Sequence, residues 1–243
     1  MKTVKLVVEY NGARYVGWQV QAKGMSVQGE LEKALAEIVG HPLRVIGAGR
    51  TDAGVHALGM TAHFRTAGNL PMSAFREGVN RLLPEDIAVK RAEEACPGFH
   101  ARYNARGKWY RYTIIQSPAP TPLRAPFSWR LRKPLDLEAV REAAAAFVGV
   151  HDFAPFRSSG CAAKTSVREI FSLSLQSEGE LLFIDVRGSG FLKNMVRMMV
   201  GTLTEIGRGK EDPGLVARML ATGKPQAPIT APPQGLCLME VFY

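Results

Sequence analysis

The chain has 243 residues, 46% of them apolar, and carries 31 Lys and Arg against 22 Asp and Glu, a formal charge of +9 with a pI near 9.7. That length buries a substantial core in one large domain or two small ones, and the apolar content excludes a disordered chain. No apolar run approaches the roughly 18 residues of a membrane span, and the N-terminus, MKTVKLVVEY, enters strand-like alternation with no signal-peptide core, so a cytoplasmic protein is expected. The three cysteines, Cys96, Cys161 and Cys237, are scattered and form no CxxC pair, and the five histidines form no HxH or HxxxH, which argues against a disulfide framework and against a metal site. Arginine dominates the positive side, and its planar fork fits phosphate, so nucleic acid is the natural partner of such a surface. A basic enzyme with no such partner is the alternative.

In chain order, Val4–Glu9 alternates as a strand. Ser26 caps a helix that places Val27, Leu31, Ala34, Leu35 and Ile38 on one face, and Gly40 ends it. Leu43–Ile46 and Thr61–Arg65 read as strands. Pro71 opens a helix carrying Phe75, Val79 and Leu82, which stops before Pro84, and Asp86–Arg91 is a fourth strand. The order then repeats. Lys108–Ile115 is a strand, and Asp136 caps a helix through Phe147, closed by Gly149. Val167–Gln176 and Leu181–Arg187 flank the turn Ser177-Glu178-Gly179-Glu180, a hairpin signal. Phe191–Ile206 is a helix with Leu192, Met195, Val196, Met199, Leu203 and Ile206 facing inward, a short helix starts at Asp212-Pro213, and Leu236–Phe242 is the last strand.

Each half therefore reads βαββαβ, the ferredoxin-like order, and the predicted class is α+β. The expected division is 1–104 and 105–243, with the junction near Cys96–Gly107. Two antiparallel sheets joined side by side, with helices on one face, leave a cleft between the halves and one long open groove suited to an elongated ligand.

The stretch Gly47-Ala-Gly-Arg-Thr-Asp-Ala-Gly-Val-His-Ala57, between two predicted strands, fails as a phosphate loop, because Asp52 stands where a dinucleotide fingerprint needs its third glycine. Gly209-Lys210 lacks the upstream glycine and the following Ser or Thr of a P-loop, and Gly188-x-Gly190 has no third glycine. A catalytic carboxylate is the other reading. Gly49 and Gly54 let the backbone bend on either side of Asp52, and Arg50 two positions away favours its ionised form, which suits a covalent nucleophile. A structural Asx-turn with Arg50 on the surface stays open. In Arg106–Tyr112 a strand puts Lys108, Tyr110 and Tyr112 on one face and Trp109 and Arg111 on the other. That interleaving suits bases stacked on rings and phosphates met by cations, or merely a half-buried strand. In Phe191–Gly201, Lys193 and Arg197 fall four apart on one helix face, and Arg197 sits among Met195, Val196, Met198 and Met199. An arginine in such company usually has a buried partner, for which Asp52 is the candidate, or snorkels to the helix edge. Glu9–Gln19 packs polar and aromatic residues around the turn signal Asn11-Gly12, as an RNA contact or as loop packing.

Together these stretches resemble the tRNA pseudouridine synthase A family. The resemblance rests on Tyr-x-Gly-x-x-Tyr-x-Gly-Trp-Gln at Tyr10–Gln19, Gly-Arg-Thr-Asp-x-Gly-Val-His-Ala at Gly49–Ala57 and Lys-x-Tyr-Arg-Tyr at Lys108–Tyr112. It continues with His-Asp-Phe and Phe-Arg within His151–Arg157 and Phe-Leu-x-x-Met-Val-Arg-x-Met-Val-Gly at Phe191–Gly201. It spans nearly the whole chain without a departure at a motif position. It implies that Asp52 is the catalytic aspartate, that Tyr110 stacks on the target uracil, that Arg197 pairs with Asp52, and that Arg50 helps to flip the nucleotide. Lys108, Arg157 and Lys193, also within the motifs, are taken as substrate contacts. It implies isomerisation of uridines 38, 39 and 40 in the tRNA anticodon arm by a homodimer that needs no cofactor or metal. The reaction cuts uracil from ribose C1′ at N1, turns it and rejoins it through C5, so no atoms are gained or lost. The carboxylate either adds to uracil C6 or triggers loss of uracilate from the sugar. A non-catalytic ferredoxin-like RNA-binding protein is the rival, disfavoured by the absence of an RNP1 pattern around Arg106–Tyr112. A nucleotide-dependent enzyme is the second, disfavoured by the failed fingerprints.

Overall fold

The protein is described here from a computed structural model covering residues 1–225 and 229–243. The chain is α+β and divides into two compact units, Met1–Arg106 together with Cys237–Tyr243, and Gly107–Leu236.

The first unit follows the ferredoxin-like order: β1 (Lys2–Tyr10), α1 (Val27–Val39), β2 (Ile46–Gly47), β3 (His56–Thr66), a helical segment whose middle, Ala74–Gly78, is a wide π-type turn, and β4 (Ile87–Ala95). The strands lie β4-β1-β3-β2, all antiparallel. Alternation explains the layers. Val4, Leu6, Val8 and Tyr10 of β1 are buried opposite Phe64, Ala62 and Met60 of β3, whereas Lys5 and Glu9 point the other way and pair with Glu93 and Lys90 of β4. The Ser26 hydroxyl accepts from Gly29 N to cap α1, and Gly40, with φ +79°, ends it.

The second unit comprises β5 (Gly107–Gln116), β6 (Trp129–Leu131), α2 (Leu137–Ala145), β7 (Gly149–Asp152), β8 (Val167–Glu178), β9 (Leu181–Gly188), α3 (Met195–Gly207) and α4 (Leu215–Thr222). Its sheet runs β5-β9-β8-β7, antiparallel throughout, with β6 added in parallel to β5. Tyr112, Ile114, Ile184 and Val186 are buried on one face, together with Phe147, Phe153, Phe156 and the apolar side of α3. In chain order β5, α2, β8, β9 and α3 follow the second ferredoxin-like pattern, and the last strand, β10 (Leu236–Phe242), has the bounds the sequence predicts.

Several expected elements differ, each for a visible reason. Leu43–Ile46 is not a strand. Val45 N donates to Glu32 Oε1 and its carbonyl accepts from Gln28 Nε2, so side chains of α1 take the groups a ladder would use, and only Ile46 and Gly47 pair with β3. The strand expected at Thr61–Arg65 begins five residues earlier, because β1 extends the pairing back to Tyr10↔Ala57. The helix expected from Phe191 starts at Met195, since Asn194 turns left-handed with φ +60°. Lys193 therefore lies outside α3 and does not stack four residues before Arg197 on one helix face. The C-terminal strand, expected with the second half, lies with the first unit. It runs parallel to β3 at Cys237↔His56 and Leu238↔Ala57, Tyr243 packs on Phe99, and the Tyr243 hydroxyl donates to the Ala101 carbonyl.

Candidate active site

In the first unit the glycine-rich stretch is a loop held against a second loop, Asn11–Gln19. Trp18 N donates to the Thr51 carbonyl at 3.2 Å, Gly54 N to the Tyr15 carbonyl at 3.4 Å, and Gly12 N to His56 Nδ1 at 3.1 Å. The Tyr10 and Thr51 hydroxyls share a buried hydrogen bond of 2.8 Å. The two backbones come so close that a side chain on Gly17, whose φ is +108°, would sit 2.5 Å from the Thr51 oxygen. Val55 N then donates to the Asp52 carbonyl at 3.1 Å, closing a four-residue turn whose third residue, Gly54, has φ +78°, as a type II turn requires. The result is a rigid seat. Thr51 is 6% exposed and fixed through both backbone and side chain, Asp52 directly after it is half-buried, and Arg50 before it is exposed.

In the second unit, β5 and β9 divide their residues by face as the sequence predicts. Trp109 Nε1 donates to Asp185 Oδ1 at 2.7 Å, and Arg111 grips the same carboxylate with Nε and Nη2, both at 2.9 Å. Asp185 is only 6% exposed, so this face is a buried ion pair beneath stacked cations, with the Arg187 guanidinium 4.4 Å from the Trp109 ring. Tyr110 points to the other face, 7% exposed, with the Phe191 ring edge-on at 5.1 Å, and Lys108 shares that face, half-buried.

Arg197 rises from the first turn of α3, half-buried. Its Nε donates to the Ala231 carbonyl at 2.7 Å and its Nη1 to Asn194 Oδ1 at 2.8 Å, while Ala231 N returns a bond to the Arg197 carbonyl at 3.0 Å. The segment around Ala231 lies tight on the helix because position 201 is glycine. A Cβ there would stand 1.6 Å from the Ile229 oxygen. Tyr112 anchors the same strap by donating its hydroxyl to the Pro232 carbonyl at 2.7 Å, and burial pushes that phenol far above its ordinary pKa although Arg197 pulls the other way.

The loop before α3 and the loop between β7 and β8 hold the remaining candidates. Lys193 Nζ donates to the Ser159 carbonyl at 3.3 Å, and the Lys193 carbonyl accepts from Ser158 N at 3.3 Å. Exposed Arg157 precedes that contact. Burial alone would raise the Cys161 thiol pKa, but the amides of Lys193 and Ala163, with Arg157 and Arg168, bring it below its ordinary value. The Ser166 hydroxyl, the Ala154 amide and the Arg157 charge lower Asp152, against a small opposing effect of burial. Arg50 and Asp52 thus share one loop of the first unit. In the second unit, Lys108 and Tyr110 share a strand face, and Arg157 and Lys193 lie on two different loops, one after β7 and one leading into α3 and Arg197, that meet through the Ser158–Lys193 and Lys193–Ser159 hydrogen bonds. Among the described residues no group of three or more His, Cys, Asp or Glu side chains is placed to hold a metal ion, and no helix is long and apolar enough to cross a membrane.

A family model described as tRNA pseudouridine synthase matches residues 6–104 and 143–243. The chain belongs to the tRNA pseudouridine synthase family. Within this family of isomerases it is 58% identical to the tRNA pseudouridine synthase A of Syntrophotalea carbinolica, over all of this chain and 97% of that one. It is 53% identical to the protein of that name from Geotalea uraniireducens, over the full length of both, and 54% to that from Pelobacter propionicus, likewise over both full lengths.

For a chain of this family the structure adds residues that sequence reasoning passed over: Asn194 and the Ala231 backbone on Arg197, Phe191 on Tyr110, and Tyr10 on Thr51. Of these, Tyr10, Asn194 and Phe191 lie inside a quoted motif, but nothing in their spacing says what they touch. Ala231 sits in Thr230-Ala-Pro-Pro-Gln-Gly235, which reads as a plain loop.

Proposed function

We propose that this chain isomerises uridine to pseudouridine in the anticodon arm of tRNA, with Asp52 as the catalytic carboxylate. The observation that carries the reading is the seat of Asp52: a half-buried carboxylate on a glycine turn, directly after a threonine pinned by the end of β1 and by the Asn11–Gln19 loop. A reacting group must be held to within fractions of an ångström, and that interlock supports such a role. The C1′–N1 bond breaks, the base turns, and C1′ bonds to C5. The proton on C5 leaves to water and N1 gains one, so atoms balance with no co-reactant. Asp52 adds to uracil C6 or initiates departure of uracilate from the sugar; both routes use the ionised carboxylate.

In this reading Tyr110 lies against the extruded uracil, Arg50 takes the space the base vacates, and Arg197 acts with Asp52 on the same uridine. Lys108, Arg157 and Lys193 meet the phosphates. Unstacking a base costs a few kcal/mol, which ring contact and phosphate neutralisation offset. A formal charge of +9 supports a polyanionic substrate and makes its affinity fall with salt. The protein acts in the cytoplasm as a homodimer, with both subunits touching each tRNA.

The test is release of tritium from tRNA transcripts labelled at uracil C5, with mapping of the modified positions. The expected result is stoichiometric release to water with pseudouridine in the anticodon arm. No release from any tRNA would refute the function; release with pseudouridine elsewhere would refute the assigned arm. Sedimentation of the pure protein at half the expected dimer mass would refute the dimer.

A further inference from the structure

Among the described residues Asn194 is the one non-glycine position with positive φ, at +60°. It stands immediately before the first turn of α3, where an asparagine ordinarily turns its side chain onto the helix amides. Here the side chain makes no capping bond. Its Oδ1 accepts from Arg197 Nη1 at 2.8 Å, and its Nδ2 donates to the Ser158 hydroxyl at 2.9 Å. Ser158 Oγ in turn points at Met198 Sδ, 3.7 Å away, and Ser158 N is tied to the Lys193 carbonyl. A strained backbone and a forgone cap are the marks of a residue whose side chain is needed elsewhere.

We propose that Asn194 is a positioning residue for Arg197. With Ala231 holding Nε and Asn194 holding Nη1, two of the three guanidinium nitrogens are fixed and the plane of the group is set. Ser158 orients the asparagine amide, so the segment from Arg157 to Ser158 is coupled through Asn194 to the arginine. This inference rests on the reading that Arg197 belongs to the catalytic machinery.

The test compares Asn194→Gly, Asn194→Asp, Ser158→Ala and Arg197→Ala in single-turnover tritium release, tRNA binding and thermal unfolding. Glycine tolerates the left-handed backbone and removes only the side chain. The expected result for Asn194→Gly is a rate about 10- to 100-fold lower, with tRNA affinity and melting temperature close to wild type. Asn194→Asp keeps the acceptor for Arg197 and recovers part of the rate, Ser158→Ala loses a few-fold, and Asn194→Gly adds no further loss to Arg197→Ala. A wild-type rate in Asn194→Gly, with Arg197→Ala inactive, overturns the positioning role and leaves the function standing. A rate loss matched by equal loss of binding or of melting temperature shows a structural role and also overturns it. Full activity in Arg197→Ala removes the arginine from the chemistry, and the inference falls with it.

Discussion

Replacing Gly201 by alanine sets the strap over α3 against the helix it rests on. The added Cβ would lie 1.6 Å from the Ile229 oxygen, so the strap must withdraw by about 2 Å to reach ordinary contact. Three hydrogen bonds ride on that strap: Arg197 Nε to Ala231 O, Ala231 N to Arg197 O, and the Tyr112 hydroxyl to Pro232 O, at 2.7, 3.0 and 2.7 Å. None survives such a displacement. Overpacking costs about 1–3 kcal/mol and each lost bond about 1 kcal/mol, which gives a destabilisation of roughly 4–6 kcal/mol before relaxation. For a chain of this size that lowers the melting temperature by about 10 °C or more, and Arg197 loses the carbonyl that fixes its Nε. Calorimetry with single-turnover kinetics on the folded protein reads both effects. A melting temperature within about a degree of wild type, at an unchanged rate, would refute the strap as the support of Arg197.

Two further outcomes follow from other parts of the structure. Asp185→Asn keeps the shape of a buried acceptor but removes the charge that Arg111 and Trp109 surround, so urea unfolding should show a loss of about 2 kcal/mol, and an unchanged midpoint would contradict the ion pair. Burial first, then the neighbouring His100 and Arg65, lowers the pKa of His63, which accepts from Ala101 N at 3.1 Å. The unfolded chain then binds the extra proton first, so stability should fall as pH drops below the ordinary histidine value toward the lowered one, and a His63→Gln variant should show a flatter profile over that range. Equal pH dependence in the two proteins would rule His63 out as the cause.

Much of the architecture was legible because local signals and tertiary packing agree. The cap at Ser26, the stop at Gly40, the cap at Asp136 and the hairpin after Glu178 all use side chains or turns whose chemistry is local. The misread elements are those decided by distant partners. Val45 looks like strand until Gln28 and Glu32 claim its backbone. The apolar rhythm of Phe191–Leu192 continues into α3, and only the left-handed Asn194 breaks it. The candidate residues were legible as residue types inside motifs: Asp52 by its glycines, Tyr110 by strand alternation, Arg197 by its apolar neighbours. Their supports were not, because Thr51 and Tyr10 lie 41 positions apart and Arg197 and Ala231 lie 34 apart, and no local periodicity links such pairs.

The most direct measurement is single-turnover release of tritium from C5-labelled tRNA by Asp52→Asn beside wild type, with tRNA affinity measured in parallel. Asparagine preserves the size of the side chain and removes its charge. The expected result is a rate lower by on the order of 10⁴-fold with affinity changed no more than a few-fold. Release at the wild-type rate by Asp52→Asn would mean that the carboxylate at the end of that fixed loop does not carry the chemistry.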